Sequence, residues 1–178
     1  MLLRKLVVAA SLAVASFAAQ ADINIVNGQL VIDETSSVSA TFLGSDAGYT
    51  NLLLLYNGAP LELFNGHATA TGTSVDLGVF AGGTVLDFRI HVIDTNYDYV
   101  MGPAGANIDG FMHANASLDG THAATVGFED LYGGGDQDFN DLSFRVNVTP
   151  AVPEPETYGM LLGGLGLIGL LARRRKSS

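Results

Sequence analysis

The chain contains no cysteine and no tryptophan. Without cysteine there is no disulfide framework, no thiol nucleophile, no thiolate zinc site and no iron–sulfur ligation, so stability has to come from packing or from an oxygen-ligated metal. Basic residues are scarce and unevenly placed. Of 8 Lys and Arg, six (Arg4, Lys5, Arg173, Arg174, Arg175, Lys176) sit at the two ends, and all 18 Asp and Glu lie between Asp22 and Glu156. Residues 22–157 hold only Arg89 and Arg145 against those 18 acids, a net charge of −16, compared with −10 for the whole chain. Such a surface repels phosphate backbones and attracts cations, which argues against a nucleic-acid partner. A helical hydrophobic period is also lacking between residues 22 and 157. With 22 glycines in 178 residues, the composition suits a turn-rich β-protein.

The ends read as addresses rather than as fold. Residues 1–21 have a signal-peptide layout: Arg4 and Lys5, then the apolar Leu6–Ala18, then Ala19-Gln20-Ala21. Ala19 and Ala21 supply the small residues at −3 and −1 that a signal peptidase requires, so cleavage is expected before Asp22. At the other end, residues 149–157 form a Pro/Glu linker containing Val152-Pro153-Glu154-Pro155. An apolar stretch follows at 158–172, expected as a transmembrane sorting helix, and then a basic cytoplasmic tail at 173–178. Fifteen helical residues reach about 22 Å, short of a ~30 Å hydrocarbon core, which suits a temporary handle better than a lasting anchor. This order of Val-Pro-Glu-Pro, short apolar segment and Arg-rich terminus resembles the PEP-CTERM sorting signal of Gram-negative bacteria. The resemblance implies processing by an exosortase, a transient stay in the inner membrane, and delivery to the cell surface or extracellular matrix, with exopolysaccharide as a candidate partner.

The middle, residues 22–148, is expected to be one all-β domain, an antiparallel β-sandwich or jelly-roll of roughly eight to ten strands. Asn27-Gly28, Asn57-Gly58 and Asn65-Gly66 each have the composition of a type I′ hairpin turn, which needs positive φ at both positions. The flanking stretches predict strands at Ile23–Val26 and Gln29–Asp33, and a meander through Leu52–Tyr56, Pro60–Phe64 and His67–Thr73. Strict alternation predicts two more strands, Thr84–Asp94 with Leu86, Phe88, Ile90 and Val92 inward, and Leu142–Thr149 with Leu142, Phe144, Val146 and Val148 inward.

One stretch carries chemistry. Between residues 129 and 141 lie Glu129, Asp130, Asp136, Asp138, Asn140 and Asp141, with Gly133-Gly134-Gly135 among them. Like charges at this density repel unless a cation sits between them. Asp136, Asp138 and Asn140 alternate, as a loop aiming successive oxygens at one Ca²⁺ would. It is not an EF-hand, because Asp141 stands where that motif needs glycine and Asn147 where it needs glutamate. The stretch also resembles the Gly-Gly-x-Gly-x-Asp calcium repeat, but a single copy argues against a β-roll.

The pattern Gly-Phe-Glu-Asp-Leu, a Gly-Gly-Asp loop, Asp-aromatic-Asn-Asp and a following strand resembles a domain of unknown function that recurs in secreted and PEP-CTERM proteins. An upstream Asn-x-Asp-Gly-x-x-His element of that family stands at Asn107–His113. The resemblance, over roughly residues 77–148, implies a β-sandwich and a calcium site, with Asp109 as a further ligand; it does not imply an enzymatic activity. His113 is placed to orient the acidic loop. The other histidines lack metal spacing, and the sequons at Asn115 and Asn147 are short matches of the kind chance supplies. Adjacent Glu129 and Asp130, on a strand, would face opposite ways and make a poor glycosidase pair. The expectation is a non-enzymatic, calcium-stabilised surface module, structural or adhesive. The alternative is a carbohydrate-binding module using exposed Tyr49, Tyr97, Tyr99 and Tyr132.

Overall fold

The computed structural model of the protein describes residues 22–151, 161–169 and 173. The signal-peptide residues, including Ala19 and Ala21, and the Val152–Pro155 motif lie outside the described residues.

The domain is all-β and antiparallel throughout. Its strands are β1 (Ile23–Val26), β2 (Gln29–Ile32), β3 (Ser36–Gly44), β4 (Asn51–Leu55), β5 (Leu61–Asn65), β6 (Ser74–Phe80), β7 (Val85–Leu86), β8 (Phe88–Val92), β9 (Tyr97–Val100), β10 (Ala114–Leu118), β11 (Ala123–Phe128) and β12 (Leu142–Pro150). They form a five-stranded sheet β10-β11-β12-β3-β6, a four-stranded sheet β5-β4-β8-β9 and a three-stranded sheet β1-β2-β7. The two larger sheets bury their inward faces against each other in a sandwich. Phe144 of β12 meets Phe88 of β8 edge-on at 4.8 Å between ring centroids, and Phe42 of β3 meets Phe64 of β5 at 5.5 Å. Leu30, Ile32 and Leu86 of the third sheet join the same core. The inward sets expected for the two alternating runs are all buried.

Three local expectations fail for identifiable reasons. Asn27-Gly28 does form the tight turn, with φ of 51° and 75°, but Asn57 and Asn65 are not in the left-handed region. Asn65 instead folds its side chain forward, its Oδ1 accepting from the amides of His67 and Ala68, and so turns the expected strand 67–73 into a loop. The expected single strand 84–94 breaks at Asp87. There the Asp87 amide donates to Asn57 Oδ1 and its carbonyl accepts from Tyr56, so β7 pairs with β2 while β8 pairs with β4. This change of sheet keeps the alternation intact, which is why periodicity alone does not reveal it. Among the described residues twelve strands result rather than eight to ten.

Of the expected helix 158–172, residues 161–169 are described, and they are helical and exposed. Among the described residues no helix is long and apolar enough to cross a membrane.

Candidate metal centre

The acidic loop fills the connection between β11 and β12, neighbours in the five-stranded sheet. Two close approaches hold it against the sheet. Gly127 has no side chain because the loop crosses directly over it: a Cβ there would stand 1.9 Å from the Phe139 carbonyl oxygen. Further along, Gly133, Gly134, Gly135, Gln137 and Phe139 all have positive φ, coiling the backbone tightly around the first carboxylate. That carboxylate is Glu129, 1% exposed, whose Oε1 accepts from the Phe139 amide at 2.5 Å.

The carboxylate oxygens of Glu129, Asp136 and Asp138 lie within 4.8 Å of one another. Burial raises the Glu129 pKa against the pull of the Phe139 amide, and the charges of Asp136 and Asp138 push it the same way. No ion pair among the described residues involves any of these three. The two arginines of the domain are engaged elsewhere, Arg89 with Asp87 and Arg145 with Asn147 and Asp119. Oxygens bound to one Ca²⁺ at ~2.3–2.6 Å stand at most about 5 Å apart, so this spacing fits a single ion.

The other four expected ligands are placed differently. Asn140 sits beside the cluster but donates its Nδ2 to Asp138 Oδ2 at 2.5 Å. Asp130 is 3% exposed and accepts from Asn51 Nδ2 at 2.8 Å, while its own amide donates to Asp141 Oδ2 at 2.8 Å. Burial first, then the charges of Asp130 and Glu129, lift the Asp141 carboxyl to about 7. Glu129 and Asp130 lie just past the end of β11, not on it, and still face apart, toward Phe139 and Asn51 respectively.

Asp109 belongs to a buried brace. Its Oδ2 accepts from His113 Nε2 at 2.8 Å and from the Gly133 amide at 2.7 Å, and its Oδ1 from the Phe111 amide at 3.1 Å. Burial alone would raise the Asp109 pKa, but these hydrogen bonds outweigh it and hold the carboxyl below its usual value. His113 Nδ1 reaches the Glu129 carbonyl at 2.9 Å, and the Glu129 amide donates to the His113 carbonyl at 2.9 Å. The Asn-x-Asp-Gly-x-x-His element is therefore a fixture. Asn107 ties its start to both the Val100 amide and the Phe111 carbonyl, Gly110 turns at φ 76°, and His113 and Asp109 grip both ends of the acidic loop's first half. The orienting role expected of His113 is present in this geometry.

Sequence reasoning passed over Asn51. Its signal was there: it shares the inward face of β4 with Leu53 and Leu55, so period two places an amide in the core. Tyr99, expected on the surface, is fully buried and stacks on His113 at 3.6 Å, with Tyr49 half-buried against the core. Tyr97 and Tyr132 are exposed, with their rings 5.6 Å apart.

Fold and site together define an antiparallel β-sandwich carrying one braced acidic loop between neighbouring strands. Residues 52–149, more than half of the chain, match the family described as Domain of unknown function (DUF4114), and the chain belongs to that family. Residues 151–176 match the PEP-CTERM protein-sorting motif. That motif makes the chain an exported protein, processed by exosortase and held transiently in the membrane through its C-terminus. No curated protein matches the chain.

Proposed function

We propose that the domain is a non-enzymatic surface module whose acidic loop is set by a calcium ion after export. The observation that carries this reading is the approach of Glu129, Asp136 and Asp138 to within 4.8 Å with no cationic side chain among them. Glu129 would anchor the ion from the buried side, and Asp136 and Asp138 would close over it from solvent. The ion supplies the charge that the loop lacks and fixes a backbone already committed to left-handed turns. Glu129 is buried under its own loop, which suits a structural ligand. A protein sorted this way at a Gram-negative surface would serve in the matrix as a structural or adhesive element.

A second reading, recognition of matrix polysaccharide, draws on the exposed Tyr97–Tyr132 pair, since adjacent rings offer stacking faces for sugars. Calorimetric titration of the full chain with Ca²⁺ tests the first reading. Saturable binding is expected in the wild type, and the ion held by the loop should be lost in Asp136→Asn/Asp138→Asn. Binding of equal strength in both would remove the loop from consideration.

A further inference from the structure

We propose a second cation site behind the loop, formed by Asn51 Oδ1 with the carboxylates of Asp130 and Asp141, and suited to a hard divalent ion such as calcium. The proposal rests on the reading of the loop as a calcium site and extends it from one ion to two. Its starting point is an orphan. Asn51 is 0% exposed, and its Oδ1 is buried with no hydrogen-bond partner. The same amide reaches one member of an acidic pair, with Nδ2 donating to Asp130 Oδ2 at 2.8 Å. Asp130 is itself buried, and Asp141 Oδ2 sits on its backbone amide. A buried amide oxygen without a donor, on a side chain that holds Asp130 while Asp141 lies against the Asp130 backbone, is an incomplete set. A cation drawing on all three would satisfy every member.

The donors are oxygen only, which selects Ca²⁺ or Mg²⁺ over softer metals. They are also separate from the first cluster, because Glu129 turns away from them toward Phe139. Placement gives this site its consequence. Asn51 opens β4 in the four-stranded sheet, while Asp130 follows β11 and Asp141 precedes β12 in the five-stranded one. The β3–β4 loop already reaches across at this point, with Ser45 Oγ donating to the Asp141 carbonyl at 2.5 Å and the Asp46 amide to the Asn140 carbonyl at 3.1 Å. An ion here would clamp the two faces of the sandwich where the acidic loop leaves it.

The test is calcium stoichiometry of the full chain, read by equilibrium dialysis against Ca²⁺ alone and repeated with Mg²⁺. The wild type should bind two ions, Asn51→Leu one, and Asn51→Asp two, the second at least tenfold tighter. One ion in the wild type overturns the second site and leaves the loop reading standing; none overturns the loop reading itself. Two ions in both the wild type and Asn51→Leu would place the second ion elsewhere and overturn the proposal. If Asn51→Leu does not fold, Asn51→Asp decides, because unchanged affinity for the second ion contradicts ligation by this side chain.

Discussion

A Cβ on Gly135 would stand 2.0 Å from Glu129 Oε2, with the glycine at φ 55°. The loop is thus pressed here onto the carboxylate that anchors the proposed ion. Gly133, at φ 87°, has open space where its Cβ would be. Replacing either glycine by alanine should cost about 1 kcal/mol in metal-free stability, from the left-handed backbone alone. Only Gly135→Ala should also displace Glu129 and weaken calcium binding, by roughly tenfold or more. Denaturant melts in EDTA and calcium titrations of the two variants separate these effects.

Gly127→Ala is expected to be more damaging. The atom in the way is the Phe139 carbonyl, part of the backbone, which a rotamer change cannot move. The loop would have to lift off β11. Amide hydrogen exchange should show faster exchange across residues 129–141, with the core strands β3 and β12 still protected.

The Asp141 carboxyl, raised by burial to about 7, gives the metal-free protein a distinctive pH dependence. A carboxyl whose pKa is raised on folding holds a proton that the unfolded chain has lost. Its contribution to stability is full below about pH 4, near the unfolded value, and is lost as pH rises through about 7. In EDTA the domain should therefore be more stable at pH 5 than at pH 8, and Asp141→Asn should reduce that difference. Urea midpoints at the two pH values, with and without the substitution, check the sign.

His113→Ala removes the brace between Asp109 and the Glu129 carbonyl, both side chains of the ion pair being essentially buried. Leaving the buried Asp109 carboxylate with only backbone donors should cost about 3 kcal/mol. Tyr99→Phe is the contrasting case. Its hydroxyl is buried without a partner, and burial, with the nearby Asp109 charge, pushes its pKa up to about 12. Loss of that hydroxyl should be neutral or slightly stabilising, with the ring still stacked on His113. Thermal melts of both variants provide the measurement.

Much of the sandwich is visible in the chain because alternation survives even where a strand changes sheets, as from Leu86 to Phe88. What alternation does not reveal is the break itself, which depends on Asn57 reaching across to Asp87 from thirty residues away. β3 is muted for another reason: Ser36 and Ala40 occupy inward positions, so its face lacks the bulk that marks β12. The acidic loop is legible as a charge problem, but its division is not. Local spacing groups Asp130, Asp141 and Asp109 with the other acids, whereas Asn51 and His113, both distant in sequence from their partners, draw them into separate contacts. Tyr99 illustrates the same limit, since its period-two position on β9 does not say which face His113 will cover.

The most direct test of the central claim is a thermal melt of the full chain in EDTA and then in Ca²⁺ at a hundredfold excess over its dissociation constant, with Asp136→Ala/Asp138→Ala alongside. Binding only to the folded state at that excess contributes about 2.7 kcal/mol, a rise of roughly 10 °C for a domain of this size. The account predicts at least that rise in the wild type, and Asp136→Ala/Asp138→Ala should lose the part that the loop ion contributes. Equal midpoints with and without calcium in the wild type would contradict it and leave the loop as a solvated acidic turn on an exported β-sandwich.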